Sequence, residues 1–224
     1  MIKICVSGAK GKMGSRIVEL ARDDDAFEVA GEFDIGDEPE PMIELCDCLV
    51  EFTAPDATIE HLELCKKHKK AIVIGTTGLS EEQKAKIEEA AAKIPVVFSP
   101  NMSIGVNLLF KMVRDASRIL GPDYSVEIIE AHHAQKKDAP SGTAKEMAKI
   151  VKEEKGDVKV PIESVREGDI VGEHTITFDS PFDVIEITHS AKTRDILVKG
   201  ALAAVKFVVT KGHGLFTMKE VLGL

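Results

Sequence analysis

The chain has 224 residues with 38 acidic against 29 basic side chains, a net charge of -9 that opposes the electrostatic attraction dominating binding to nucleic acid and anionic membranes. That length buries a sizeable core in one large domain or two unequal ones. Trp is absent and Tyr124 is the only tyrosine, which disfavours a stacking platform for single strands, so small molecules rather than nucleic acid are the expected partners.

The first hundred residues alternate short β-branched runs with longer helical patterns. "IKICVS", "FEVAGEF", "CDCLVEFT", "AIVIG" and "PVVFS" read as strands, while Met13, Ile17 and Leu20, then Ile59, Leu62 and Cys65, recur at helical spacing. Ser80 and Gln83 in "SEEQ" form a capping-box pair that opens a helix predicted to run through Lys93. This rhythm predicts an α/β fold with a parallel sheet and crossover helices. Cys5, Cys46, Cys48 and Cys65 lie in or beside apolar runs and never form CxxC, so reduced, mostly buried thiols and no metal are expected. No apolar run approaches the length of a membrane span, and "MIKICVSGAKGKMG" lacks the parts of a signal peptide. A cytoplasmic protein with no membrane contact is therefore expected.

"VSGAKGKMGSRI" places Gly8, Gly11 and Gly14 between the first strand and the first helix. Glycines there allow a tight turn and close approach of a pyrophosphate, and the helix start offers amides at its positive end. Alone, the pattern serves a plain strand-to-helix turn equally well. Asp34, twenty residues after Gly14, favours a dinucleotide site, because a carboxylate closing the second strand can accept hydrogen bonds from an adenosine ribose. The same charge repels a ribose 2′-phosphate, and "IGDEPEP" holds no basic residue to neutralise one. NADH is thus favoured, with Lys10 and Lys12 leaving NADPH open as the alternative.

Beyond Asn101 the pattern changes. It predicts a helix from about Ile104 to Leu120, a strand in "YSVEIIEAH", a helix from Gly142 to about Glu154, and alternating strands in "HTITF" and "DVIEITHSA". A second, α+β domain over residues 104–194 is expected, with residues 1–103 and 195–224 forming the first. The tail "ILVKGALAAVKFVVT" reads as strand-like at its start and helical afterwards.

Residues 130–144, "EAHHAQKKDAPSGTA", each have a plain structural explanation: a strand end at His132, a charged turn, and a helix cap at Ser141. Their combination suggests more. A turn leading into a helix aims the amides of Gly142 and Thr143 at an anion, Thr143 adds a hydroxyl and Lys136 adds a cation. His132 or His133 can exchange a proton near neutral pH. Such a pocket suits a carboxylate substrate that must gain a proton. Adjacent histidines do not readily face one ion, which disfavours a metal.

The same segment resembles the signature of the 4-hydroxy-tetrahydrodipicolinate reductase family, formerly dihydrodipicolinate reductase, of diaminopimelate and lysine biosynthesis. "VSGAKGKMG", "GTTGLS", "SPNMSIGVN", "REGDIVGEHTITF", "EITHSAKTR" and "GLFTM" follow in the family's order over nearly the whole chain. The resemblance implies a Rossmann-like dinucleotide-binding domain with a second α+β substrate-binding and oligomerisation domain, assembled as a homotetramer. It implies nicotinamide-dependent reduction of a cyclic, doubly carboxylated imine, with His132 as general acid/base and Lys136 as proton donor. His133, Lys136, Ser141, Gly142, Thr143 and Arg194 would surround the substrate carboxylates. Gly8, Ala9, Gly11, Lys12, Met13 and Gly14 would cradle the pyrophosphate and Asp34 would hold the ribose. Gly75, Thr76, Thr77, Pro100, Asn101 and Met102 would line the nicotinamide, "SPNM" doubling as a hinge, and Phe52 would also contact the cofactor.

The chain departs from the family in being short and compressed around 34–46, with Ala54 where some members are basic and Ile35 where an arginine would strengthen NADPH binding. Two other readings compete. A sugar- or biliverdin-type reductase would carry Glu-Lys-Pro where "IVIGTTG" stands, and a non-catalytic NAD-binding redox sensor has no need of His132, Lys136, Thr143 and Arg194 together.

Overall fold

A computed structural model describes residues 1–224, which divide into two compact units: Met1–Ile104 with Asp195–Leu224, and Gly105–Arg194. The first unit starts with β1 (Ile2–Ser7), α1 (Lys12–Arg22), β2 (Phe27–Phe33), α2 (Pro39–Leu45), β3 (Cys48–Glu51), α3 (Pro55–His68), β4 (Ala71–Ile74), α4 (Glu81–Ala91) and β5 (Pro95–Phe98). The second carries α5 (Ile104–Ile119), β6 (Ser125–His132), α6 (Gly142–Lys155), β7 (Ile162–Arg166), β8 (Gly172–Asp179) and β9 (Val184–Ala191). The chain then returns to the first unit as α7 (Asp195–Val208), β10 (Gly214–Phe216) and α8 (Met218–Leu222).

Six strands of the first unit form one parallel sheet in the order β10-β5-β4-β3-β1-β2. The unit is Rossmann-like: the order reverses beside β1, and in such sheets ligands bind at the carboxyl ends of the strands on either side of the reversal. The residues of β3 and β4 are all buried, as a strand covered on both faces requires. One face packs α1, α7 and α8 through Ile17, Val18, Val198, Val205 and Met218; the other packs α2, α3 and α4 through Ile43, Leu62 and Ile87. Ser80 accepts from the Gln83 amide and the Gln83 side chain returns to the Ser80 amide, so the predicted capping box opens α4. The helix ends at Ala91, two residues short of the expected Lys93. All four cysteines are unpaired and buried, and burial raises each thiol pKa, Cys46 to about 11.

The second unit has a four-stranded sheet in the order β7-β6-β8-β9, parallel only between β6 and β7. Val126, Ile128, Ile176 and Phe178 point to one face, against Leu109 and Val113 of α5 and Met147, Ile150 and Val151 of α6. The strict alternation of β6, buried at every second residue, places Glu130 and His132 on this inner face at its carboxyl end.

One local expectation changes and three elements are added. The tail is helical from Asp195 onward, not strand-like at its start. Val198, Ala201, Leu202, Val205 and Val208 recur at helical spacing and are buried, and that burial outweighs the weak β preference of Ile196 and Val198. Its first turn is anchored by Arg16, whose Nε and Nη2 donate to the Asp195 carboxylate at 2.7 and 2.8 Å. Strands β7 and β10 and helix α2 also appear where the sequence pattern offers no period, β10 being only three residues long.

Gly200 of α7 faces the Met102 carbonyl so closely that a Cβ would stand 1.7 Å from that oxygen. Gly200→Ala should therefore destabilise the protein by about 2 kcal/mol or more, as overpacking against rigid backbone does. Urea unfolding of the two proteins measures this through the shift in midpoint.

Candidate active site

In the first unit the predicted cofactor residues collect at the carboxyl ends of the parallel strands. Gly8 takes a φ of +65°, in the left-handed region that favours glycine, and the turn closes with the Gly11 amide donating to the Gly8 carbonyl at 2.9 Å. Gly14 packs so tightly on this turn that a Cβ would sit 2.1 Å from the Gly8 oxygen. Gly11 is the N-cap of α1 and supplies no side-chain cap, so the leading amides remain available to an anion, as a pyrophosphate cradle requires. Asp34 follows β2; its carboxylate accepts from the Ile35 amide at 2.8 Å and the Lys10 amide at 2.9 Å. Those two amides, Ile35 first, hold its pKa below the usual carboxylate range.

Glu51 ends β3 with 0% exposure, a carboxylate removed entirely from water. It accepts from the Thr53 amide at 2.9 Å, from the Thr53 hydroxyl and from His61 Nδ1 at 2.6 Å. The Thr53 methyl group stands 2.8 Å from where a Gly8 Cβ would be, and a Gly75 Cβ would meet the Phe52 ring at 2.1 Å. These contacts interlock the loops after β1, β3 and β4. Thr76 is buried and accepts a hydrogen bond from the Thr58 hydroxyl at 2.9 Å, whereas Thr77 and Pro100 are exposed. Asn101 accepts from the Ser103 amide at 2.9 Å. The Met102 side chain lies inside the core of the first unit.

In the second unit one buried carboxylate joins the parts. Glu130, 0% exposed, receives His132 Nδ1 at 2.5 Å, Arg166 Nη1 and Nη2 at 2.9 and 2.7 Å, and the Ser141 amide at 3.1 Å. Burial pushes its pKa up, but the bonds from Arg166, Ser164, His132 and Ser141 overcome that and bring it down to about 2. Burial lowers the pKa of His132 against the opposing pull of Glu130, which favours a neutral imidazole. The hydrogen bond of the His132 ring is made by Nδ1, and Gly172 leaves Nε2 uncovered, since a Cβ there would lie 3.0 Å away.

Ser141 is the N-cap of α6: its hydroxyl accepts from the Ala144 amide at 3.2 Å and meets His174 Nε2 at 3.1 Å. Its side chain thus braces the helix start against His174. The side chain is 2% exposed. Gly142 and Thr143 occupy the first turn of α6, where amides lack intrahelical partners. Lys136 pairs with Asp138 at 2.8 Å, and the Asp138 carbonyl accepts from Arg166 Nη2 at 2.7 Å, which ties the lysine loop to β7. His133 is half-buried with its Nδ1 unpartnered, and Arg194 is exposed between β9 and α7.

Sequence reasoning passed over Glu130, Arg166, His174 and Glu51. The signal for Glu130 was available: two residues before His132 in an alternating strand, it must share the inner face, where a carboxylate needs donors. His174 likewise falls on the inner face of β8 with Ile176 and Phe178. Arg166 and Glu51 carry no comparable pattern.

A Rossmann-like parallel sheet with a glycine turn at its reversal, and a separate α+β unit built around a carboxylate-held histidine, define a two-unit nicotinamide-dependent oxidoreductase. Residues 2–102 match the family described as dihydrodipicolinate reductase, N-terminus, and residues 105–222 match dihydrodipicolinate reductase, C-terminus. The chain belongs to the dihydrodipicolinate reductase family. It is similar to the 4-hydroxy-tetrahydrodipicolinate reductases of Geobacter sulfurreducens, 40% identical over 265 residues, and Citrifermentans bemidjiense, 38% over 266, each alignment covering 100% of both chains. Among solved structures, dipicolinate-bound dihydrodipicolinate reductase from Paenisporosarcina sp. TG-14 superposes with a TM-score of 0.87 at 27% identity over 98% of each chain.

Burial drives the pKa of His174 down to about 4, with charge on His132 adding to the effect. Because its folded pKa lies below the unfolded value near 6.5, stability is full above that value and declines as pH falls toward 4. Between pH 7 and 5 the protein should lose about 2 kcal/mol of unfolding free energy that His174→Gln does not lose. Urea titrations of both proteins at the two pH values give this difference.

Proposed function

We propose that the chain reduces 4-hydroxy-tetrahydrodipicolinate to tetrahydrodipicolinate, in the cytoplasm, as a step of diaminopimelate and lysine biosynthesis. One observation carries the reading: within the family's signature, a histidine held by a buried carboxylate stands just ahead of the N-terminus of a helix. The first unit, with Gly8, Gly11 and Gly14 around the pyrophosphate and Asp34 on the ribose, is the dinucleotide-binding domain. A bound nicotinamide supplies the hydride. NADH is the favoured cofactor, because the Asp34 carboxylate repels a 2′-phosphate.

The second unit holds the substrate. Gly142 and Thr143 amides, Lys136, His133 and Arg194 bind its two carboxylates; the dipicolinate in the Paenisporosarcina enzyme is a dicarboxylate of the same kind. Reduction leaves electron density that must take up a proton, and a positioned acid contributes about 10²- to 10⁴-fold. The Lys136 ammonium donates that proton, exchanging Asp138 for substrate as its partner, while His132 Nε2 exchanges the proton that moves as water leaves the ring. The non-catalytic sensor reading gains nothing from this arrangement, since a buried charge cluster costs several kcal/mol to desolvate and binding a dinucleotide needs none of it.

Assembly as a homotetramer through the second sheet is supported by its outer face, where Ile129 and Val184 are 39% and 56% exposed in the single chain. The unpaired cysteines support a reducing compartment.

With synthase-generated substrate, NADH absorbance should fall in the presence of the protein, and His132→Gln should lower turnover about 10²-fold or more with NADH affinity nearly unchanged. Undiminished turnover in that variant removes His132 from the chemistry. Asp34→Arg should shift the NADH to NADPH preference toward NADPH by about tenfold or more, since an attractive charge replaces a repulsive one. An unaltered ratio of kcat/KM for the two cofactors would place the ribose elsewhere.

A further inference from the structure

The His132 ring can carry its proton on either nitrogen; Nδ1 meets Glu130, and Nε2 faces Gly172, which carries no side chain. We propose that Glu130, braced by Arg166, is a positioning residue that holds the His132 proton on Nδ1 and the ring in one orientation, making Nε2 the nitrogen that exchanges protons. The inference rests on His132 being the acid/base of the proposed reaction, and it assigns that role to one atom.

The geometry of the cluster leaves Glu130 little other freedom. One of its oxygens, Oε2, takes both His132 Nδ1 at 2.5 Å and Arg166 Nη1 at 2.9 Å; the other takes Arg166 Nη2 and the Ser141 amide. The guanidinium is itself immobilised, since Nη1 also donates to the Val165 carbonyl and Nη2 to the Asp138 carbonyl, each at 2.7 Å. A carboxylate locked in a bidentate pair with arginine remains an acceptor and does not take the proton from its histidine. On the other side, the His174 ring packs edge-on against His132 with centroids 5.1 Å apart and planes at 76°, so ring rotation would have to displace it. Gly172 keeps the remaining nitrogen open.

A plain structural brace would serve α6 and β7 equally well without His132. The two roles separate in a mutant cycle. Glu130→Gln should lower kcat about 10²-fold or more while NADH affinity and substrate KM stay within about threefold. The same substitution in a His132→Gln background should change kcat by less than about threefold, because the residue acts through the ring. Ring ¹⁵N NMR should find the wild-type proton on His132 Nδ1 and a mixture of tautomers in Glu130→Gln. If Glu130→Gln keeps full kcat, or lowers kcat equally in both backgrounds, or leaves the tautomer unchanged, the proposal is overturned. If His132→Gln alone keeps full turnover, the acid/base reading falls instead, and the spectrum still judges the tautomer. Should Glu130→Gln fail to fold, Glu130→Asp keeps a negative charge in the cluster while shortening its reach to Nδ1, with the same expected and overturning results.

Discussion

A carboxylate taken out of water costs several kcal/mol unless donors meet it on every open side, and the second unit is arranged around one such group. Glu130 has no exposed surface, and three elements of the second unit donate to it. His132 comes from its own strand, Arg166 from the parallel neighbour and Ser141 from the start of α6, while the lysine loop joins at one remove, its Asp138 carbonyl accepting from Arg166. Each donor satisfies a demand created by burial. The cluster is rigid because no member can leave without stranding a charge.

The first unit repeats the device at smaller scale. Glu51, equally buried at the end of β3, is met by the Thr53 amide and hydroxyl and by His61. Holding Thr53 there brings its methyl group against Gly8, and the Phe52 ring beside it fills the space over Gly75. The glycines of the cofactor turn are therefore required by their protein neighbours as much as by any phosphate. Asp34, by contrast, stays partly exposed and is met only by two loop amides, which keeps it charged and within reach of solvent or a ribose.

Much of this organisation is legible in the residue order, for identifiable reasons. Of the five β-branched runs that alternate with helical patterns, those forming β3 and β4 are apolar or buried throughout because inner parallel strands are covered on both faces, whereas the run forming β2 lies at the sheet edge and leaves Glu28 and Glu32 exposed. Ser80 and Ser141 announce helix starts because a hydroxyl there serves orphan amides whatever lies further away. The tail misleads for the opposite reason: Ile196 and Val198 carry a local β preference, whereas the face that α7 buries against α1 and the sheet is a property of the assembled unit. Met102 and Ser141 stand in the motif segments that the family resemblance assigns to ligands, yet their side chains turn to the core and to His174. A motif names positions, and packing decides which way each side chain points.

By itself the sequence determined the alternation of elements, the glycine turn after the first strand, the acidic residue closing the second, and the histidine, lysine and helix start of the substrate segment. These are local properties, set by periodicity and by hydrogen-bonding needs met within a few residues. Only the tertiary structure decided that Glu130 and Arg166 meet across 36 residues of chain, that His174 closes on His132, and that Glu51 stiffens the loop against Gly8. Partners for a buried charge are found in space, because the desolvation that demands them exists only once the core has closed.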